Sequence, residues 1–277
     1  MKWLSRSYMA LIFLILYAPI LIVVLFSFNE SGSLSSFSSF TLHWYRDLFR
    51  DGEALTALKN SLFLAVVSSV LATVIGTLAA FSIYRSTSKR YQRGMEMVSN
   101  IPMMNPDIVT GVSMMLLFVG VMTILKLSDL LGVWTMIIAH TTFNLPYVIL
   151  SVLPKFRQMD KNLTEAALDL GCTPVQTFLR IELPSILPGV VSGLMMSFTL
   201  SLDDFVISHF VSSPDFKTLP LYIYNQTAHE VKFSMYALCT LMIVAILVLL
   251  ILVNVAGSVG ERRQRRDGLK RTGVKNS

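Results

Sequence analysis

Two adjacent acidic residues, Asp203 and Asp204, interrupt an otherwise apolar stretch of the sequence. A carboxylate inside a lipid bilayer costs on the order of 3 kcal/mol or more, so it normally faces a cavity or a charged partner. Such a group could replace the hydration shell of a passing cation. We therefore predict that Asp203 lies on a cation pathway; Asp204 is the weaker candidate, because adjacent helical residues point about 100° apart. Alternatively, one of the two caps a helix break or binds a lysine of a neighbouring subunit.

Two further side chains are candidates for the same pathway. Asp107 follows Asn105 and Pro106 at the start of an apolar stretch, where it can cap a helix or interact with the positive end of the helix dipole. We prefer this structural role, and a cation at the inner exit of the pathway is the alternative. Tyr222 could attract an organic cation through its aromatic face, but a belt of aromatic residues at the membrane surface is the preferred interpretation.

The sequence contains no catalytic or nucleotide-binding pattern. It lacks the G-x-x-x-x-G-K-[ST] signature of a phosphate-binding loop, and its four histidines are scattered along the chain. The two cysteines, Cys172 and Cys239, lack metal-ligand spacing and are too few for a disulfide framework. We therefore predict no catalytic residue, no metal site and no cofactor bound by this chain. Any ATP that drives the protein must be bound by another subunit.

Membrane-spanning helices must position these side chains. Of the 277 residues, 53% are hydrophobic and only 14% are Asp, Glu, Lys or Arg, and the mean hydropathy is +0.62. A soluble domain usually carries about 25% charged residues, which argues against a soluble enzyme. Six stretches are long and apolar enough to cross about 30 Å of hydrocarbon as helices. They lie at 9–28, 62–84, 108–125, 133–153, 187–211 and 234–259.

The distribution of basic residues predicts how these helices are oriented. Of the 23 Lys and Arg residues, 17 fall in segments that would share one side of the membrane. Cytoplasmic loops carry such an excess, so both termini are predicted to be cytoplasmic. The chain 1–277 would form a single all-α transmembrane domain. Its basic tail, 260–277, is interpreted as an anchor beside anionic membrane lipid, and no nucleic acid is needed to explain it.

The predicted cytoplasmic loop, 155–185, contains helix start and stop signals. Asn162 and Glu165 resemble a capping box, and Gly171 supplies a stop, so a first helix is expected over 163–170.

The same signals are repeated directly afterwards. Thr173, Pro174 and Gln176 form a second start signal, and Pro184 is expected to end the second helix after about Leu183. Four residues of the first helix form a small apolar face: Leu163, Ala166, Ala167 and Leu170. This face could enter a groove of a partner protein or lie on the lipid surface, and the spacing alone favours neither.

The loop also matches a known motif. Seven identities fall at set spacings: Glu165, Ala166, Ala167, Gly171, Ile181, Leu183 and Pro184. Together they resemble the EAA loop of ABC importer permeases. The resemblance implies that this loop inserts into a cleft of a cytoplasmic ATPase and couples nucleotide-driven closure to movement of the spans.

Other segments extend the resemblance over nearly the whole chain. They look like the permeases of spermidine/putrescine importers, most closely the smaller of the two permease subunits of such systems. The matching segments are 17–19, 27–29, 44–45, 106–108, 140–143 and 198–206. Cys172 departs from the pattern where the family usually has Ala, and Ser213 departs from it where Gly is common.

The resemblance implies a fold, a function and a set of partners. The fold is the type I ABC importer permease fold with six transmembrane helices. The function is ATP-driven import of polyamines across the bacterial plasma (inner) membrane. The partners are a second permease subunit in a heterodimer, a dimer of cytoplasmic ABC ATPases that uses ATP and Mg, an extracytoplasmic polyamine-binding protein and membrane lipid.

Two alternatives remain open. A secondary cation transporter could use Asp203 or Asp204 as its titrating group, although the sequence lacks a convincing internal repeat of the kind such transporters carry. An ABC permease for a different solute would also fit, because related importers for iron, sulfate and other solutes share the fold.

Overall fold

The computed structural model describes residues 2–33, 36–126, 131–228, 232–248 and 251, and these are mostly helical. The helices are α1 (Lys2–Phe26), α2 (His43–Arg50), α3 (Gly52–Arg85), α4 (Lys89–Met104), α5 (Asp107–Leu125), α6 (Val133–Gln158), α7 (Lys161–Asp169), α8 (Pro174–Thr177), α9 (Leu183–Asp203), α10 (Val206–Val211), α11 (Leu219–Thr227) and α12 (Phe233–Val248). A π-helical turn, Phe178–Glu182, joins α8 to α9. Within these residues, β-pairing is limited to two isolated bridges, which confirms the predicted all-α class.

Five helices are long and apolar enough to cross a membrane, and they correspond to the first five predicted spans. They are Arg6–Phe26, Gly52–Arg85, Asp107–Leu125, Val133–Gln158 and Pro174–Asp203. Helix α12 begins one residue before the sixth predicted span, 234–259, and its described part is shorter than the other five. Apart from residue 251, the rest of that span and the predicted tail 260–277 fall outside the described residues. A sixth span therefore stays a prediction.

Helix α3 begins at Gly52, well before the predicted span 62–84. The side chain of Asp51 explains this start, because its Oδ1 accepts the backbone N–H of Glu53 at 3.0 Å and that of Ala54 at 3.1 Å. These N–H groups have no partner inside the helix. The predicted span begins later than the helix because Glu53, Lys59 and Asn60 interrupt the apolar residues near the start of α3.

The expectation that Pro184 ends a helix is wrong, because one continuous helix covers Pro174–Asp203. In the π-helical turn, the N–H of Leu183 donates to the carbonyl of Phe178, five residues earlier. This wider turn places Pro184 in the first turn of α9. There a missing N–H is tolerated, and the fixed backbone angle of proline suits the helix.

The predicted fifth span, 187–211, is wrong at its far end, because two residues separate α9 from α10. Asp204 is the first of these and has an extended backbone, with φ −64° and ψ 120°. Its carboxylate accepts the N–H of Ile207 at 3.3 Å and that of Ser208 at 2.8 Å. The acid thus satisfies N–H groups in the first turn of α10 that have no acceptor within that helix.

Helices α6 and α9 pack closely in antiparallel register. His140 of α6 is hydrogen-bonded to Ser201 of α9, and Val148 lies opposite Gly193 two turns away. A Cβ atom on Gly193 would lie 3.3 Å from Val148 Cα, and one on Gly189 would lie 2.8 Å from a backbone oxygen of α6. Glycine at these two positions therefore permits the close approach, as small residues do between membrane helices.

Contacts between residues divide the chain into two compact units: 57–221, and 1–56 together with 222–277. Unit 57–221 contains two clusters of buried apolar side chains, one that includes Met136 and one that includes Phe156. The prediction of a single domain over 1–277 is not tested and stays a prediction.

In the other unit, Asn29 organises the loop that follows α1. Its side-chain nitrogen donates to the carbonyl oxygens of Ser33 and Ser36, each at 2.8 Å. Trp44 Nε1 donates to the backbone carbonyl of Asn29, also at 2.8 Å. The fully buried asparagine side chain therefore holds a polar loop in a defined shape.

Candidate functional site

The loop between α6 and α9 carries the motif residues, and its first helix is α7. The carboxylate of Asp160 caps this helix by accepting the backbone N–H of Asn162 at 3.0 Å. The predicted cap, Asn162, is therefore wrong, because that residue lies inside the first turn. A carboxylate at this position interacts favourably with the positive end of the helix.

The predicted stop at Gly171 is confirmed. Gly171 has a positive φ of 85°, a conformation that glycine adopts without steric cost. Its N–H donates to Leu168 O at 2.9 Å, and the N–H of Cys172 donates to Ala167 O at 3.0 Å. This pair of hydrogen bonds is the Schellman arrangement that satisfies the last carbonyls of a helix.

The predicted second start signal is confirmed as well. Thr173 Oγ1 accepts the N–H of Gln176 at 3.3 Å, and Gln176 Oε1 accepts the N–H of Thr173 at 3.0 Å. Pro174 occupies the first turn, where its lack of an N–H costs nothing. The loop is therefore a pair of capped helical segments whose shape is fixed by local hydrogen bonds.

The motif residues differ in exposure. Glu165, Ala166, Gly171 and Pro184 are exposed, Ile181 and Leu183 are half-buried, and Ala167 is buried. The predicted apolar face of α7 is therefore partly wrong, because Ala167 packs into the protein. Leu163 is 49% exposed and Leu170 is 86% exposed, so both remain available to a partner. The role of the seven motif residues in ATPase coupling is not tested by this geometry and stays a prediction.

Glu182, a charged residue of the loop, was not among the functional residues predicted from the sequence. Its side chain is fully buried, and Oε1 lies 3.5 Å from Arg85 Nη2 at the end of α3. Oε1 also accepts a hydrogen bond from Thr164 Oγ1 of α7 at 3.2 Å. A sequence signal did exist, because Glu182 interrupts the apolar residues Ile181 and Leu183 just as Asp203 interrupts an apolar stretch of the sequence.

Asp204 belongs to a buried polar network. Its Oδ2 lies 3.5 Å from His140 Nε2, and its side chain is 8% exposed. The His140 ring also contacts the hydroxyls of Ser201 at 2.8 Å and Ser208 at 3.2 Å, and Ser201 contacts Ser68 at 2.9 Å. Asp204 thus has the capping role that was the alternative to a place on the pathway, and its geometry gives no support to the pathway prediction.

Asp203 differs from its neighbour. It is the last residue of α9 and is exposed, whereas Asp204 is turned inward. The two carboxylates therefore point in different directions, as the helical geometry predicts. An exposed carboxylate at the end of a membrane-spanning helix is free to meet a cation or a second subunit. The pathway role of Asp203 stays a prediction.

Asp107 is exposed and lies in the first turn of α5. At this position a carboxylate interacts favourably with the positive end of the helix, which agrees with the preferred structural role. Nearby, Asn105 Nδ2 donates to Thr110 Oγ1 at 3.1 Å. The alternative, a cation at the inner exit, remains a prediction.

Tyr222 does not present the open aromatic face that a cation site requires, because only 5% of it is exposed. Its hydroxyl donates to Asp51 Oδ2 at 2.8 Å. Burial and the neighbouring carboxylate raise the pKa of Tyr222. Burial alone would raise the pKa of Asp51, but hydrogen bonds from Ala54, Tyr222 and Glu53 outweigh it, so this pKa lies below its usual value. Both predicted roles, pathway and surface belt, therefore fit poorly.

The arrangement offers binding surfaces and buried acids. Among the described residues, no three His, Cys, Asp or Glu side chains come together as a metal site requires. Chemically, the arrangement can present a rigid helical loop to a protein and an exposed carboxylate to a cation.

Comparison with known proteins finds a matching family and several similar membrane proteins. Residues 72–266 match the family described as binding-protein-dependent transport system inner membrane component. The chain is 37% identical over 234 residues to the putrescine transport system permease protein PotI of Escherichia coli (strain K12), covering 84% of this chain and 83% of the relative. It is 39% identical over 253 residues to the spermidine/putrescine transport system permease protein PotC of Haemophilus influenzae, covering 90% and 95%.

Two solved structures of ABC transporters contain a chain with the same fold. A bacterial ABC transporter involved in the import of the acidic polysaccharide alginate aligns with a TM-score of 0.72 at 17% identity, covering 94% of this chain and 96% of that chain. The MetNI methionine ABC transporter aligns with a TM-score of 0.57 at 21% identity, covering 80% and 99%. At these identities the likeness shows the fold alone.

Proposed function

This chain belongs to the family of inner membrane components of binding-protein-dependent transport systems, and from that premise we propose that it is a permease subunit of an ATP-driven importer for spermidine and putrescine. As a member of this family it is a transport subunit. In the proposal it forms half of the translocation pathway and contacts an ATPase subunit through the loop that contains α7.

The observation that carries the proposal is the construction of this loop. Asp160, Gly171 and Thr173 fix two helical segments through local hydrogen bonds, while Leu163 and Leu170 remain exposed. A preorganised surface loses little conformational entropy when it enters a groove. An interfacial helix that only lay on lipid would not need a capped second segment.

The substrate class is supported by the relatives. The two described above are a putrescine permease and a spermidine/putrescine permease, and each match covers more than four fifths of this chain. Asp203 is exposed at the end of α9, where a carboxylate could interact with an ammonium group. Polyamines carry several such groups, so the proposal also assigns Asp203 to the substrate pathway.

The proposal includes an assembly and a location. The chain pairs with a second permease subunit, and both contact a dimer of cytoplasmic ABC ATPases that uses ATP and Mg. An extracytoplasmic polyamine-binding protein delivers the substrate. The six spans cross the bacterial plasma (inner) membrane with both termini in the cytoplasm, consistent with the 17 basic residues on that side.

The proposed mechanism is alternating access. ATP binding closes the ATPase dimer, which moves α7 and opens the pathway outward to receive the polyamine. Hydrolysis then resets the complex and releases the substrate inward. This chain contributes the loop that is moved and the helices that follow it.

The two alternative functions are weaker. In a secondary cation transporter Asp204 would have to bind the transported cation, but its carboxylate already accepts two backbone N–H groups and contacts His140. An ABC permease for a different solute has the same loop and fold, so only transport measurements distinguish it from a polyamine permease.

The proposal is tested with the full complex. We expect the ATPase subunit to co-purify with the wild-type chain, and both Glu165→Lys and Gly171→Asp to weaken this association. Reconstituted complexes should take up radiolabelled spermidine and putrescine but not a non-amine control solute. Absence of ATPase from the purified wild-type complex would contradict the importer function, whereas uptake of only the control solute would contradict the substrate.

A further inference from the structure

Glu182 is the residue between Ile181 and Leu183 that the loop motif leaves unspecified. Its buried carboxylate connects three elements of unit 57–221. It belongs to the π-helical turn at the base of α9, accepts a hydrogen bond from Thr164 of α7 at 3.2 Å, and lies 3.5 Å from Arg85 at the end of α3. No other described ion pair joins the loop to a membrane span.

Packing alone does not require a charge at this position. A buried carboxylate is unfavourable unless it is paired and hydrogen-bonded, and Glu182 is only partly satisfied. Its Oε2 makes no hydrogen bond with the described residues, and the side chain of its partner Arg85 is 39% exposed. An apolar side chain of similar size would avoid this cost, so the acid must contribute something other than stability.

The location of Glu182 indicates what it contributes. A movement of α7 reaches α9 through the chain itself, by way of α8 and the π-helical turn. It reaches α3 only through contacts between side chains, and Arg85 is the last residue of α3. Arg85 is held in turn over the ring of Phe81 at 5.4 Å. The carboxylate thus lies at the junction where the loop and two spans meet.

We propose that Glu182 is a positioning residue that ties α7 to the end of α3, so that displacement of the loop moves both spans together. This inference rests on the proposed function of the loop as the ATPase contact. It assigns no contact between Glu182 and the ATPase or the substrate, because the side chain is fully buried.

The test compares transport with ATP hydrolysis in complexes reconstituted with the ATPase, the second permease and the polyamine-binding protein. Glu182→Gln preserves the volume of the side chain and an acceptor for Thr164 but removes the charge that faces Arg85. We expect normal co-purification of the ATPase and continued basal ATP hydrolysis. Spermidine uptake per ATP hydrolysed should fall about tenfold, within the 5- to 150-fold range typical of coupling between sites.

A double variant tests whether the pair acts as a unit. Arg85→Gln alone should lower the same ratio by a similar factor, and Glu182→Gln combined with Arg85→Gln should lower it no further, because contacting residues are not additive. If the Glu182 variant cannot be isolated as a complex, Thr164→Val gives the same measurement with an expected fall of about threefold.

The matched control is Glu96→Gln. Glu96 forms an ion pair with Arg157 between α4 and α6, a similar pair that is more exposed and does not involve α7. Spermidine uptake per ATP hydrolysed by the Glu96→Gln complex should equal that of the wild-type complex.

Three results would overturn the inference: an unchanged ratio in Glu182→Gln, a fall in uptake that only follows the amount of assembled complex, or an equal fall in Glu96→Gln. Failure of the proposed function is separable from these, because the wild-type complex itself would then lack the ATPase or polyamine uptake.

Discussion

Helix α9 has a buried acid at each end: Glu182 of the π-helical turn directly precedes its first residue, and Asp204 directly follows its last. Both oxygens of Asp204 accept backbone N–H groups of α10, and His140 contacts one of them. Glu182 has side-chain partners on one oxygen, while the other makes no hydrogen bond with the described residues. The two acids have similar burial but different surroundings.

The two acids therefore differ in whether their hydrogen-bond partners are close to them in sequence or lie on other helices. Asp204 completes the first turn of the next helix, so its two backbone partners are three and four residues away in sequence, and His140 is its one described partner on another helix. Glu182 meets Thr164 and Arg85, which lie on two other helices. Loss of Asp204 should therefore damage folding of the chain, whereas loss of the Glu182 charge should damage the link between elements.

The largest expected effect on stability comes from Asp204→Ala. The variant leaves two buried N–H groups of α10 without their acceptor and removes the carboxylate beside the His140 ring. Since each unsatisfied buried polar group costs about 1–3 kcal/mol, we expect a loss of about 3 kcal/mol in the free energy of unfolding. Denaturation of the purified chain in detergent would measure it.

Asp204→Asn is the matched control for this loss. It retains one carbonyl oxygen as an acceptor, so it should recover part of the stability. A variant Asp204→Ala as stable as the wild type would contradict the capping role and restore Asp204 as a candidate for the pathway.

A smaller effect is expected from Gly171→Ala, which alters only the backbone of the loop. Nothing lies within 4 Å of the added Cβ, so the cost arises from the positive φ of 85°. Left-handed geometry costs an L-residue about 1–2 kcal/mol. Denaturation midpoints should fall accordingly, and Gly171→Asn should be milder because asparagine tolerates this geometry better.

Tyr222→Phe measures the loss of one hydrogen bond to Asp51, a carboxylate outside the membrane spans, for comparison with the two acids beside α9. Removing one hydroxyl donor from Asp51 should cost about 1 kcal/mol at neutral pH. Because the pKa of Asp51 lies below its usual value in the folded chain, this stability is present above about pH 4 and is lost as the pH falls through the folded pKa. Wild type and variant should therefore converge in acid. A difference that persists unchanged below that pH would assign the loss to packing.

The smallest effect on stability is expected from Asp203→Asn, because this carboxylate is exposed. The free energy of unfolding and co-purification of the ATPase should stay at wild-type values. Polyamine uptake, however, should fall severalfold if the carboxylate contacts an ammonium group in transit. Normal uptake kinetics would remove Asp203 from the pathway. Neither Asp203 nor Asp204 would then have a demonstrated role in transport.

The parts of the fold that the sequence predicted correctly depend on short-range interactions. The stop at Gly171 and the start at Thr173 involve partners within five residues, and the apolar spans follow from composition. Residue types at fixed spacings are sufficient to identify such features. The same applies to the loop motif, because all seven of its residues lie within the short segment 165–184.

The parts that were missed depend on partners far away in the chain. Glu182 is explained by Arg85 and Thr164, and the break at Asp204 is supported by His140, none of which a linear pattern connects. Pro184 misled the prediction because a π-helical turn can carry a helix past a proline. Tyr222 was assigned to a surface, but its partner Asp51 lies 171 residues earlier.

The close packing of α6 against α9 has a genetic consequence. Small residues recur at every fourth position along α9, and all four are buried: Gly189, Gly193, Ser197 and Ser201. A saturation library of this segment should tolerate larger side chains at the codons between them far better than at these four. Positions that do not tolerate larger side chains would then recur at every fourth residue, and this pattern alone would identify the face of α9 that contacts α6.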